Sequence, residues 1–329
     1  MGSAEKVVIS HSEYAALPGL SNSMLKDLSI SPLRFWARWI DPNREPVEPS
    51  AEMQFGSAVH CAVLEPSRFQ ERYAAEVAVP EGCLYTVADL RAFLERHGCK
   101  AKGSLKADII AQVQAISPDV PILSVLEAEH AKATAGKVVF KSKDWNRITR
   151  AAESLLNEPR IQEILEEGEP EAALTGVHPD TGVPLKGRLD FLAPKLTLDL
   201  KTFSQTRGKS IDRTVADAVW FEAYHRQGVF YGMLRGWPKK FCGEFVLAFV
   251  ESETPFETRI RSIRPKVAGQ FSQLWERGRV EIDNMIRLYK SFKDHFGERP
   301  WRYAQDVSVL EDDEIKALAF DEPVRRVNV

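Results

Sequence analysis

Apolar residues recur along the chain first with a helical period and then, past its midpoint, with a period of two. Met24, Leu25 and Leu28 follow the polar turn Leu20-Ser21-Asn22-Ser23, where Ser21 or Ser23 offers a helix N-cap. Residues 31–39 predict a second, aromatic-rich helix with Pro32 in its first turn, and Pro42, Pro46 and Pro49 then mark a loop. The stretch 54–64 is apolar on nearly every side, so it predicts a buried helix whose small residues allow close packing, ended by Glu65-Pro66. Two shorter helices follow, 87–94 capped by Thr86 and stopped at Gly98, and another starting within 103–110. After a helix near 145–156 the alternation predicts strands 171–177, 185–192 and 196–202, joined by the turn 178–182 and the tight connection 193–195. These form an antiparallel meander. A helix over 215–235, strands 244–250 and 257–263, and a long amphipathic helix over 267–295 complete the pattern, with no internal repeat.

Composition narrows the class without naming a function. Of 329 residues 44% are hydrophobic and 28% charged, which excludes wholesale disorder and fibrous architectures. Lys+Arg 44 against Asp+Glu 47 leaves −3, so overall charge advertises no polyanion partner, although binding to nucleic acid is a property of one face. No apolar run approaches the roughly 20 residues of a spanning helix, and residues 1–10 lack an apolar signal core, so a membrane is not expected. Cys61, Cys83, Cys99 and Cys242 form no CxxC pair, which argues against zinc. The expectation is a soluble, cytoplasmic protein with reduced thiols and an exposed acidic tail around Glu311–Glu314.

The helical pair within 83–117 carries Arg91, Arg96, Lys100, Lys102 and Lys106 against Asp89, Glu95 and Asp108, with three lysines around its loop. It resembles a SAP domain, a two-helix DNA-binding module; the alternative is an ordinary helical hairpin with a solvated basic turn.

The chemistry gathers on the meander. Along 196–202 the leucines share one face, and Thr197, Asp199 and Lys201 share the other. Asp199 and Lys201 therefore point the same way, ~6.6 Å apart along the strand. On the preceding strand Lys186, Arg188 and Asp190 alternate with Leu185, Gly187, Leu189 and Phe191, and a hairpin brings Asp190 near Asp199. Two carboxylates beside a lysine make a hard-oxygen site suited to Mg2+, which polarises a scissile phosphate and activates a water while the lysine orients or stabilises. The alternative is a surface Asp–Lys pair on an edge strand.

Gly187-Arg188-Leu189-Asp190 followed by Leu198-Asp199-Leu200-Lys201-Thr202 resembles the GxxD…DxKT core of the PD-(D/E)XK nuclease superfamily. Residues 224–231, with Gln227 and Tyr231 one turn apart, are similar to the QxxxY helix of its RecB-like branch. Residues 21–25 and 55–66 resemble the N-terminal signature of the exonuclease VIII (RecE-like) group. The resemblance implies an α/β fold: a restriction-endonuclease-like core with a mixed central sheet flanked by helices, plus the small SAP-like insertion. The expected parts are an N-terminal helical portion (1–82), the insert (83–117) and the nuclease core with C-terminal helices (118–329).

It further implies a Mg2+-dependent 5′→3′ exodeoxyribonuclease, with Mn2+ able to substitute, that degrades one strand of linear duplex DNA for recombination by strand annealing. Asp190 and Asp199 are then metal ligands, with the Leu200 carbonyl a third, Glu171 an acidic residue on the strand before the core, and His60 beside the metals. Lys201 is the catalytic lysine, and Gln227 and Tyr231 line the site or contact DNA. For His60 the plain alternative is a satisfied buried histidine; for Gln227 and Tyr231, helix packing. Ser21 and Ser23, with Lys26 and Arg34 close by, offer an anion site for a 5′-phosphate, or simply cap a helix. Lys100, Lys102 and Lys106 would add phosphate contacts through the insert. The implied partners are duplex DNA ends, a RecT-like annealing protein and further copies of the chain in a ring. Related helicase-nucleases hold an Fe–S cluster with clustered C-terminal cysteines; only Cys242 follows the core here, so none is expected. The rival readings are an endonuclease of the same superfamily and a non-cleaving DNA-binding accessory protein.

Overall fold

The computed structural model describes residues 5–7, 11–236 and 243–302; Cys242 and the acidic run Glu311–Glu314 lie outside the described residues. Six strands form the central sheet: β1 (Glu5–Val7), β2 (Glu169–Val177), β3 (Pro184–Leu192), β4 (Leu196–Phe203), β5 (Glu244–Glu251) and β6 (Thr258–Ile263). Their order in space follows their order in the chain. All neighbours are antiparallel except β4 and β5, which run parallel and so need a crossover connection. The sheet is therefore mixed.

Helices cover both faces. Along the chain they include α1 (Asn22–Ile30), α2 (Pro32–Trp39), α3 (Ala51–Leu64), α4 (Val87–Arg96), α5 (Lys106–Ile116), α6 (Ser142–Leu156), α7 (Ile211–Phe221), α8 (Tyr224–Leu234) and α9 (Gln273–Phe296); further helices span His11–Ala16, Pro66–Arg72, Leu123–Ala133 and Pro159–Glu166. One core packs α1, α2, α8 and α9 on the sheet through Leu25, Phe35, Phe230, Trp275 and Trp301. The other packs α3 and α6 through Phe55, Val59, Ile148 and Leu155. Each such side chain, fully buried, stabilises the fold by about 1.5–3 kcal/mol. With a core on each face, every residue from Leu196 to Leu200 of β4 is buried, polar ones included.

The helices Leu123–Ala133 and Pro159–Glu166 are not part of the predicted pattern, and two predicted helices differ in extent. The apolar run 215–235 folds as two helices, because Ala223 between them adopts a left-handed conformation with φ 55°. The helix expected from 267 begins at Gln273; Lys266–Val267 and Gln270–Phe271 instead pair as a small ribbon turning at Ala268-Gly269, where φ is positive at both. Ser272 then caps the helix by accepting the N–H of Trp275.

Helices α4 and α5 have a core of their own, Leu84, Leu90, Leu94, Ile109, Val113 and Ile122. Thr86 and Asp89 form a reciprocal capping box at the start of α4. The segment carrying them leaves from Tyr73–Ala75 and returns at Val138–Phe140, two strands that pair in parallel. Among the described residues no helix is long and apolar enough to cross a membrane.

Candidate active site

The site lies where β3 and β4 part. Their ladder joins only Phe191 to Leu198 and Leu192 to Thr197. Beyond it, Asp190 Oδ2 accepts the N–H of Leu200 at 3.0 Å, so a side chain replaces the missing backbone partner. Further along, Leu20 occupies the vacated edge of β3, accepting the N–H of Lys186 and donating to the Pro184 carbonyl. Between the two attachments the edge is open, and the Arg188 carbonyl there is met by the Tyr231 hydroxyl at 3.0 Å.

Both neighbouring strands also change face at this point. Leu185 and Leu189 pack into the core beneath α8, whereas Phe191 belongs to the core beneath α3. Simple alternation puts these three side chains on one face. The structure breaks it at Asp190 and at Glu171 opposite, which sits within β2 at φ 56°. A non-glycine residue held in that region stores strain, a feature that clusters at functional sites.

Helix α3 brings His60. Gly56, one turn earlier, packs against β4, where a Cβ would make an ordinary contact of 3.4 Å with Thr202 Oγ1. His60 Nε2 lies 2.7 Å from the Leu200 carbonyl, and Nδ1 lies 3.3 Å from Asp190 Oδ2. A carbonyl only accepts, so Nε2 carries a hydrogen, and the ring bridges the backbone of β4 to the carboxylate of β3. Helix α8 brings Gln227 and Tyr231. Gln227 Nε2 donates to Asp199 Oδ1 at 2.6 Å and to the Tyr231 hydroxyl at 3.2 Å. Gly187 and Gly228 permit this approach, since added Cβ atoms would lie 2.5 Å from Leu234 and 2.6 Å from the Phe245 ring.

Asp199 is completely buried, and its Oδ2 is met by the Lys201 ammonium. Burial, reinforced by Asp190, pushes its carboxyl up to about 6, with Lys201 and His60 acting against them. Burial alone would lower the Lys201 ammonium, but Asp199 and Asp190 outweigh it and hold the amine protonated. At neutral pH the pair is therefore ionic. The ammonium also rests 4.8 Å from the Tyr224 ring centroid. Glu171 is ion-paired to Arg188 Nε at 2.5 Å; burial raises its carboxyl, Arg188 lowers it, and Asp190 adds to the rise.

Among the described residues no three His, Cys, Asp or Glu side chains stand together as a ready metal cluster. The donor set nevertheless fits a hard divalent cation: two carboxylates at the mouth of the open hairpin, one of them the buried Asp199 whose Oδ2 is balanced by the Lys201 ammonium, and the adjoining Leu200 carbonyl. Glu171 and His60 stand at its rim.

A groove of about 1150 Å3 runs from Asp190 and Glu171 past Arg188 to Ser21 and Ser23 at the start of α1. Ser21 caps that helix, its hydroxyl accepting the N–H of Met24 at 3.3 Å. Lys26 and Arg34 are not among the groove's lining residues: Lys26 pairs with Glu222, and Arg34 Nε lies 3.6 Å from Asp27. The cations lining the groove are instead Arg38, Arg44, Lys186, Arg188 and Lys293. Lys186 is occupied in donating to the carbonyls of Tyr14, Ala15 and Leu17. Lys100, Lys102 and Lys106 are exposed on the α4–α5 segment. The sequence pattern did not single out Arg188 or Tyr224 as parts of the site. The alternation of Arg188 with Asp190 was the available signal for the first; Tyr224 carried none.

Residues 21–295 match the family described as a PDDEXK-like domain of unknown function (DUF3799). Among solved structures, the chain is similar to a suspected exonuclease from Eubacterium rectale: TM-score 0.50 and 16% identity, over 93% of this chain and 95% of that one. At that identity the likeness is one of fold. The structure of SSO0001 overlaps 60% of this chain and 84% of its own at 13% identity and a TM-score of 0.25, too low to carry an argument. No curated protein matches the sequence significantly.

Proposed function

The chain belongs to the PDDEXK-like family DUF3799, and on that footing we propose that it is a divalent-metal-dependent exodeoxyribonuclease. The observation that carries this reading is the meeting of Asp190, Asp199 and Lys201 at the parted hairpin, at the foot of a groove lined with cations. The name of the Eubacterium rectale neighbour points the same way. In this reading Mg2+, or Mn2+ in its place, is held by Asp190, Asp199 and the Leu200 carbonyl, with Glu171 and His60 close by. Such an ion supplies Lewis acidity toward the phosphate and a more acidic bound water.

The chain's own residues do the rest. Gln227 fixes Asp199 Oδ1, so the carboxylate cannot rotate away when Lys201 leaves Oδ2. Lys201, kept cationic by its two carboxylate neighbours, orients the attacking water or stabilises charge on the phosphoryl oxygens. His60 holds the Leu200 carbonyl and the Asp190 carboxylate in one geometry. Tyr231 closes the free edge of β3 by donating to Arg188, which keeps the floor of the groove rigid.

The finer reading is that of a RecE-like enzyme. It acts 5′→3′ on one strand of linear duplex DNA, seats the terminal phosphate by Ser21 and Ser23, and works as a homo-oligomeric ring with a RecT-like annealing partner. The α4–α5 segment is read as a SAP-like aid to DNA affinity, supported by its separate core and exposed lysines. The test is digestion of end-labelled linear and covalently closed circular duplex DNA with Mg2+, with and without a chelator. Loss of linear DNA alone, stopped by the chelator, is expected; cutting of the circle identifies an endonuclease, and no cutting of either removes the enzymatic reading.

A further inference from the structure

The outer wall of the groove is built differently from its floor. Trp39, in the last turn of α2, lines the groove and is only partly buried. Its indole Nε1 donates to Asp27 Oδ2 at 2.8 Å, and Arg38 Nη1 donates to Oδ1 of the same carboxylate at 3.3 Å. Asp27 is only 5% exposed, and Arg34 approaches it as well. A carboxylate is costly to bury unless donors surround it. Here the donors come from α2, so the buried charge fixes the indole and the guanidinium in one orientation. The Arg38 guanidinium carbon lies 5.5 Å from the Trp39 ring centroid. Tyr289 and Lys293 of α9 line the same groove, with the ammonium 5.7 Å from the Tyr289 ring. An aromatic ring beside a cation thus occurs on two separate helices facing one groove.

That chemistry matches an unpaired polynucleotide. Aromatic faces stack on bases, and the adjoining cations meet phosphates without reading sequence. A duplex keeps its base faces stacked inside, so only a single strand offers them. Resting on the nuclease reading above, we propose that the outer groove is a platform for a single-stranded segment, on which Trp39 stacks a base, Arg38 and Lys293 meet the flanking phosphates, and Asp27 is the positioning residue. The strand that reaches Asp190 and Asp199 has then been separated from its complement before it arrives.

The experiment is binding, measured by fluorescence anisotropy without divalent metal, of a 3′-labelled single-stranded oligodeoxythymidine and of the same oligomer with one abasic position moved along it. Wild-type protein should lose affinity about fivefold or more when the abasic position falls on the platform. Trp39→Ala should lose as much with the intact oligomer and show no abasic-dependent loss, while Trp39→Phe retains most of the effect. Asp27→Asn, which keeps one acceptor for the indole but loses the charge that holds Arg38, should bind more weakly than wild type and more tightly than Asp27→Ala, and Asp27→Ala should behave like Trp39→Ala. A flat abasic scan on the wild-type protein overturns the platform, whether or not the variants fold. So does undiminished binding by folded Trp39→Ala. Because no metal is present, these outcomes are independent of cleavage: a protein that binds this way but never cuts loses the nuclease reading alone, and one that cuts with a flat scan loses only the platform.

Discussion

Glu171 stands opposite Asp190 in the ladder between β2 and β3, at the position where β3 exchanges one core for the other. The flanking pairs Pro170–Phe191 and Ala172–Leu189 keep the same register on either side, so no residue is inserted; the change is absorbed by the left-handed backbone of Glu171. This kink lets the Asp190 carboxylate reach both Leu200 N–H and the side of His60.

The first prediction follows from that backbone. Glycine adopts a φ of 56° without steric penalty, whereas a residue with a Cβ pays roughly 1–2 kcal/mol to do so. Glu171→Gly should therefore be at least as stable as wild type in urea, while losing cleavage through the missing carboxylate. Glu171→Val should be markedly less stable, because branching at Cβ makes that region worse. A Glu171→Gly protein that unfolds more easily would mean that the Arg188 ion pair, and not backbone strain, dominates this position.

Asp199→Asn and Lys201→Ala should each lower Mg2+-supported digestion of linear duplex DNA by about a hundredfold or more. Asparagine keeps the side-chain volume and the bond to Gln227, so its circular dichroism should match wild type. Digestion within a few-fold of wild type by either folded variant would remove these residues from the chemistry.

How far the sequence led is visible strand by strand. The alternation of Leu196, Leu198 and Leu200 with Thr197, Asp199 and Lys201 predicted the two faces of β4, and the described structure puts the leucine face in the core under α3. What alternation could not show is that the other face is covered too, by α8, which turns Asp199 from a half-exposed group into a fully buried one. Burial on both faces depends on pairing β4 with β5, which joins segments separated by two helices. The break at Ala223 was equally hidden, since an alanine carries no turn signal of its own. The placement of Lys26 and Arg34 away from the groove rests on Glu222 and Asp27 capturing them, and only tertiary structure decides which acid a surface cation meets.

A pH dependence is expected at the seam between α8 and α9. Burial raises the Glu281 carboxyl, but hydrogen bonds from His225 and Arg277, with the charges of His225 and Arg226, bring it down to about 2. A carboxyl depressed on folding stabilises the protein above its unfolded pKa of about 4.3, and that contribution fades as pH falls toward 2. Its size is roughly 2 kcal/mol after allowing for partial exposure. Glu281→Gln should thus be less stable than wild type at pH 7, and the gap should narrow by about pH 3. A gap that stays constant between those two pH values would mean that the variant loses packing and not charge.

Neutralising Lys100, Lys102 and Lys106 together should weaken binding to duplex DNA without changing cleavage at saturating substrate. The three side chains are exposed on a segment whose core is separate from the sheet, so folding should be unaffected. The slope of log affinity against log salt should flatten by up to about one unit for each phosphate that is no longer neutralised. Equal slopes for variant and wild type would make the segment a structural or protein-binding hairpin.

The last prediction concerns the end of the substrate. Ser21 and Ser23 open α1 and line the groove that contains Asp190 and Glu171, so backbone N–H groups and hydroxyls face the same space as the carboxylates. A terminal phosphate seated there would set the next phosphodiester over Asp190 and Asp199, with Arg38 or Arg44, and not Lys26 or Arg34, supplying the counter-charge. A duplex bearing a 5′-phosphate should then be degraded faster than one with a 5′-hydroxyl, and Ser21→Ala combined with Ser23→Ala should erase the difference. The double variant should also lose about 1 kcal/mol of stability, because Ser21 caps the helix through the Met24 N–H. The stability loss alone, with the phosphate preference intact, would leave Ser21 as a cap and nothing more. Equal wild-type rates on the two ends would remove the phosphate seat altogether.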